Sequence, residues 1–189
     1  IGRLSPERSA DGRLTGIEIS LGARNAAIDA QGSIRNPVTV DQVIFKGKAG
    51  IEDARLDIDD LQVRSGKAVV RLKGFIAGGA ESPAINMGGR IQQMPAALLK
   101  QLWPPIITPK SRTFVTENVD EGIITEGDFT VRLPADAMAE AKRRLKLPKD
   151  SINMNLRIEG VTSRYFKNLP PQINASGEAR LIDNDFSLR

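Results

Sequence analysis

The stretch AALLKQLWPPIITPKSRTFVTENVDEGIITEGDFTVRL, Ala96 to Leu133, decides the fold. Its last third alternates, with Ile123, Thr125, Gly127, Phe129, Val131 and Leu133 on one parity and Glu126, Asp128, Thr130 and Arg132 on the other. A period of two over Gly122 to Leu133 is a strand with one dry and one wet face. At ~3.3 Å per residue it extends roughly 36 Å. The first third has another period. Leu98, Leu99 and Leu102 make a narrow helical stripe, Pro95 suits a first turn, and Trp103-Pro104-Pro105 stops the helix. Between them Arg112 and Asn118 sit in what reads as an irregular link, pinning backbone through side-chain hydrogen bonds. Trp103 reads as a plug at one end of a β-core.

Upstream the chain is strands in series. Ile17, Ile19 and Leu21 alternate with Glu18 and Ser20, and Ala26, Ile28, Ala30 and Ile34 repeat the pattern. Val43, Phe45 and Ala49 alternate with Ile44, Lys46 and Lys48. Leu56 and Ile58 alternate with Asp57 and Asp59, then Leu61 and Val63 follow after a one-residue shift that predicts a bulge near Asp60. Ser65-Gly66 reads as a turn before Ala68, Val70, Leu72 and Ile76, and Ile85, Met87 and Ile91 share a parity beyond Gly78-Gly79. Several strands read as ending in a step through glycine, at Gly32, Gly47, Gly74, Gly160 and Gly177, which gives a loose repeat. Such alternation is the antiparallel habit. Two architectures satisfy it: a sandwich whose sheets cover each other, or one long curved sheet whose dry face stays open.

Downstream, Pro134 opens a second helix, acidic early at Asp136 and Glu140 and basic late at Lys142, Arg143, Arg144 and Lys146, with Pro148 at its end. The basic cluster is either a solvated face or a contact for anionic lipid. Ile152, Met154, Leu156 and Ile158 form another strand; Tyr165-Phe166 and Leu169-Pro170-Pro171 form a corner, and strands close the chain. The expected fold is mainly β, a long curved antiparallel sheet with two short helices, near 95–103 and 135–147.

Chemistry is excluded more readily than assigned. With 189 residues, 40% of them hydrophobic, the chain can bury a core, but aromatics are only 4%, so aliphatics must supply it. There is no His and no Cys, which removes Ser-His-Asp and Cys-His catalysis, zinc-thiolate sites and disulfides. Net charge is +4 with the signs interspersed, which does not suggest a nucleic-acid partner. Arg64-Ser65-Gly66-Lys67 lacks the spacing of a phosphate-binding loop. Asp57, Asp59 and Asp60 lack the spacing of a calcium loop. Carboxylates elsewhere lie on wet parities. The reading is no enzyme, no cofactor and no metal. No apolar run approaches a spanning helix, and a chain that opens at Ile1 and closes in a strand reads as a piece of something longer.

The series Leu102-Trp103-Pro104, Arg112, Phe114, Asn118-Val119 and Gly122 resembles the central signature of the AsmA-like family of bacterial envelope proteins, within the repeating-β-groove lipid-transfer superfamily. Gly160-Val161-Thr162, Arg164-Tyr165-Phe166, Leu169-Pro170-Pro171 and Gly177 resemble a second part of it. Val38 to Ile76 is similar in cadence to the family's repeating strands. One departure is Phe114, where the pattern has tryptophan. Together these cover most of the chain.

The resemblance implies that 1–189 is one segment of a repeating β-groove, part of a larger protein anchored in the inner membrane and projecting into the periplasm. It implies phospholipid as the partner, acyl chains in the groove, and a role in lipid transport and outer-membrane biogenesis, with other envelope proteins as possible partners. The groove would be lined by Ile17, Ile19, Val43, Phe45, Leu56, Ile58, Val70, Leu72, Phe129, Val131, Met154, Leu156 and Ile158. Trp103, Pro104, Arg112, Phe114, Asn118 and Gly122 would be structural. Two rival readings stand beside it: a closed β scaffold that serves assembly, and a glycan-binding or glycan-cleaving domain. The glycan reading needs Trp103 or Tyr165 exposed beside acids.

Overall fold

The computed structural model describes residues 1–28, 37–103, 109–144, 147–164, 170–183 and 185–189, with no side-chain account of 109, 110, 142 and 144. Ten strands form one antiparallel sheet in which every neighbour in space is the neighbour in sequence. They are β1 (Gly2–Arg8), β2 (Leu14–Ile28), β3 (Val38–Gly50), β4 (Arg55–Ser65), β5 (Ala68–Ala77), β6 (Ala84–Pro95), β7 (Val119–Leu133), β8 (Ile152–Ser163), β9 (Gln172–Ile182) and β10 (Asp185–Leu188). The sheet is open, with β1 and β10 as its edges, so the sandwich alternative is excluded.

Three helices interrupt the meander: α1 (Ala96–Leu102), α2 (Pro109–Asn118) and α3 (Ala137–Arg144). Two were expected. The additional one, α2, occupies the segment that read as an irregular link through Arg112 and Asn118. Its sequence is rich in Thr and Ser and has no acid in its first turn, so helix propensity there is weak. Packing of Phe114 and Val115 into the core supplies what propensity does not. Pro95 is the N-cap of α1 rather than a residue of its first turn, still extended at φ −63° and ψ 143°. Trp103 caps the other end, extended at φ −73° and ψ 112° as a residue before proline prefers. Pro104 itself, with Pro105, lies outside the described residues, as do Ala30, Gly32, Ile34, Lys146, Tyr165, Phe166 and Leu169.

The glycine steps among the described residues are not strand ends. Gly47, Gly74, Gly160 and Gly177 all lie inside strands, and Gly74 shows why a glycine is used: its φ is 143°, and a Cβ there would sit 2.0 Å from the Asn86 carbonyl oxygen. The predicted bulge near Asp60 is present as a register shift between Ile58 and Leu61. A second shift, between Ile124 and Glu126, was not legible in the sequence. It makes Thr125 the extra residue, so Ile124 is buried and Ile123 is exposed, the reverse of their expected parity. Among the described residues no helix is long and apolar enough to cross a membrane.

Candidate functional site

Direct cross-strand partners share a face, so the register turns single-strand parities into rows. One row crosses all ten strands: Gly2, Leu21, Phe45, Leu61, Leu72, Gly89, Phe129, Met154, Leu181 and Phe186. A second runs Ala23, Val43, Val63, Val70, Ile91, Gly127, Leu156, Ala179 and Leu188 from β2 to β10. A third runs Leu4, Ile19, Gly47, Ile58, Gly74, Met87, Val131 and Ile152 from β1 to β8. Beyond it lie Ile17, Ala49, Leu56, Ile76, Ile85 and Leu133. At ~4.8 Å between strands, a ten-strand row is roughly 43 Å long.

Every residue named as groove lining belongs to this face. Ile158 joins it through Ile124 and Met94. The helices then divide it. α1 packs on β6 and β7, and α2 on β7. Where they dock, Trp103 and Val115 join Val131, Leu133, Ala137 of α3, Ile152 and Leu181 in one buried cluster, with Phe129 and Met154 against it. Ala68, Ile91, Met94 and Ile124 form another, with Val70, Leu98, Leu99, Leu102, Leu156 and Ile158 against it. Val131 is thus 7% exposed in a closed core. Over β2 to β5 the same rows are half-buried at Ile17, Ile19, Val43, Phe45, Leu56, Val70 and Leu72. Ile58 is buried there at 6%, and Leu21, a row member absent from the expected lining, is 46% exposed. Leu21, Leu61 and Val63 were legible by parity alone; which half the helices cover was not.

The signature residues hold the cover in place. Arg112 donates its Nε–H to the Trp103 carbonyl at 3.0 Å, joining α2 to the end of α1 across the Pro104 segment. Asn118 donates to the Phe114 carbonyl at 2.9 Å, inside α2 rather than on irregular backbone. Lys100 reaches the Val119 carbonyl, and the Phe114 and Phe186 rings lie 5.9 Å apart. Gly122, at φ 137°, lets β8 approach: a Cβ there would meet Val161 Cγ2 at 2.7 Å. Between α1, α2 and strands β7 to β10 the cover leaves an apolar cavity of about 120 Å³.

The opposite face is polar. Arg157 pairs with Glu126 at 2.6 Å and Asn155 donates to Asp128 at 3.2 Å, within a broad depression of about 710 Å³ lined by side chains of both signs. Asp57 accepts both contacts from Arg55 Nε, at 2.9 and 3.0 Å, and this hydrogen-bonded guanidinium holds its carboxyl below the usual range. Arg55 also lies 3.7 Å over the Phe75 ring. Asp59 is exposed and Asp60 half-buried. Among the described residues no three acidic side chains converge as metal ligands would. Trp103 is 8% exposed, not a platform beside acids; Tyr165 lies outside the described residues. Of the basic cluster on α3, Arg143 pairs with Glu81.

No family model, no curated protein and no solved structure matches this chain.

Proposed function

We propose that this chain is a non-enzymatic module that holds phospholipid acyl chains against the apolar face of its sheet, as one segment of a longer AsmA-like groove. In this reading the longer protein is anchored in the inner membrane of a diderm bacterium. The module lies in the periplasm and supports lipid movement towards the outer membrane, alongside other envelope proteins. The observation that carries it is the set of apolar rows that continue unbroken from under the helices onto β2 to β5, where they are left half-covered. Monomeric proteins rarely leave a contiguous face of this kind without a use for it. Completing the burial of one half-covered Leu or Ile contributes roughly 1 kcal/mol. An acyl chain, about half of a ~30 Å hydrocarbon core in length, covers several of them at once. The free edges at β1 and β10 can each take another strand, which suits a segment of a longer sheet. Binding and sliding would be passive.

The closed-scaffold reading is favoured by one observation, the buried clusters that the three helices complete over β5 to β9. The two readings separate on lipid stoichiometry. The chain is incubated with phospholipid vesicles, recovered free of them, and its lipid extracted and counted. The lipid reading expects bound phospholipid that Leu21→Asp and Leu72→Asp reduce together while the protein stays folded. A lipid-free, folded protein supports the scaffold.

A further inference from the structure

On the polar face, charged residues that oppose each other directly across strands are of opposite sign. Glu18 and Lys48, Lys48 and Asp57, Lys46 and Asp60, and Arg157 with Glu126 and Glu178 all follow this rule. Among the described pairs there is one exception: Arg71 of β5 opposes Arg90 of β6. Like charges placed in this way destabilise a sheet. Lys73, two residues along β5, opposes Gly88, two residues back along β6. Arg71, Lys73, Gly88 and Arg90 thus mark a rectangle of roughly 5 by 7 Å with a cation at every corner but the glycine. The three cations are exposed, and among the described residues none of them has an ion-pair partner. Asp128, which opposes Arg90 from β7, takes its hydrogen bond from Asn155 instead. Packing does not require the glycine. A Cβ at Gly88 would lie 3.6 Å from the Phe129 carbonyl oxygen and 3.7 Å from Thr130 Cγ2, which is ordinary contact. A glycine weakens a strand, and one reason to keep it there is the close approach of a ligand. A depression of about 440 Å³ lies over this corner, lined by Lys73, Asn86, Thr130, Arg132 and one acid, Asp59.

We infer that this dent binds a phosphate-type oxyanion carried by a water-soluble molecule. The oxyanion lies over Gly88, relieves the repulsion between Arg71 and Arg90, and accepts hydrogen bonds from both guanidinium groups and the Lys73 ammonium. Thr130, opposite Gly88 on β7, adds a hydroxyl donor. Three separate cations suit a phosphate group, with three strong acceptor oxygens, better than a carboxylate with two. Arginine forks also match phosphate bidentately. A phospholipid stretched along the apolar rows cannot place its phosphate here, because the dent is on the other side of the sheet. The dent and the apolar rows are therefore separate sites, and either can fail without the other.

The probe is inorganic pyrophosphate, titrated calorimetrically at low ionic strength, with phosphatidylglycerol vesicles as the second arm. Pyrophosphate should bind, should raise the melting temperature, and should bind more weakly as salt rises. Arg71→Gln and Arg90→Gln should each weaken it about tenfold. Arg157→Gln, on the same face but already paired with Glu126, should leave it unchanged. Asp128→Asn should tighten it by removing a competing charge. Gly88→Glu sets a carboxylate among the three cations, so it should abolish binding while raising the melting temperature. That pairing separates loss of the site from loss of the fold. Binding that survives Gly88→Glu, or that ignores both arginine variants, would overturn the site. Absence of pyrophosphate binding would overturn it too, including the case in which the vesicles alone bind and the patch is a membrane contact.

Discussion

The Nε–H of Arg112 points at the carbonyl oxygen of Trp103 from 3.0 Å, and this bond ties the second covering helix to the end of the first. Its position explains how a short helix of weak propensity stays on the sheet. Arg112 is half-buried, so the bond is partly shielded from water. Arg112→Ala should destabilise the protein by about 1–3 kcal/mol in urea unfolding, with Trp103 fluorescence shifting to the red as its cover loosens. Arg112→Lys should recover little, because a flexible ammonium does not reproduce a planar, directed donor. Wild-type stability in both variants would remove this bond from the account.

Gly122 faces Val161 across β7 and β8 with no room for a methyl group. Gly122→Ala puts a Cβ 2.7 Å from Val161 Cγ2 and forces a side chain onto φ 137°, so it should cost about 2–4 kcal/mol. Adding Val161→Ala removes the Cγ2 contact but not the backbone conformation, nor the 3.0 Å approach to the Val161 Cα. The double variant should therefore recover only part of the loss. Full recovery would mean the glycine is there for space alone.

Two aspartate substitutions on one face should have opposite outcomes. Val131 lies in the closed cluster with Trp103 and Leu133, and Val131→Asp should cost about 3 kcal/mol or more, enough to unfold a marginal domain. Leu21 lies on the same face but is half in solvent, and Leu21→Asp should change stability by less than about 1 kcal/mol. Circular dichroism melts of the two variants decide it. Equal destabilisation would mean the uncovered rows are as closed as the covered ones.

The start of α3 titrates in acid. Asp136 accepts backbone N–H bonds from Glu81 at 2.6 Å and Ser82 at 2.9 Å, and these hold its carboxyl below its ordinary value. A lowered folded value means the contribution is complete above the unfolded value of about 3.9 and fades as pH falls through the folded one. Asp136→Asn should lower the melting temperature at neutral pH and should flatten its fall in that acid window. An unaltered acid limb in the variant would show that other carboxylates dominate it.

Much of this face was legible because period-two alternation survives any tertiary arrangement in which one side is buried. Phe45, Leu72 and Phe129 could be placed on one side from their own strands, and the register then lined them up. The shift near Asp60 was legible because parity changes there without any turn residue. The Thr125 shift was not, since Ile123 and Ile124 are both apolar and either can face inward. Helix α2 was not legible because tertiary packing of Phe114 and Val115 outweighs its local preferences. For the same reason the division into covered and uncovered rows had no signal in the strands: it is set by where the helices dock. The identity of an occupant is not written in aliphatic rows at all, and it comes from resemblance and from the chemistry of the face.

The central claim, that the uncovered rows hold acyl chains, is tested most directly by photo-crosslinking. A benzophenone residue replaces Phe45 or Leu72 on the uncovered rows, Val131 under the helices, and Lys73 or Arg132 on the polar face, and each variant is irradiated in the presence of phospholipid vesicles. The account predicts phospholipid adducts from Phe45 and Leu72, and none from Val131, Lys73 or Arg132. Absence of lipid adducts at Phe45 and Leu72, or adducts at all five positions alike, would contradict it.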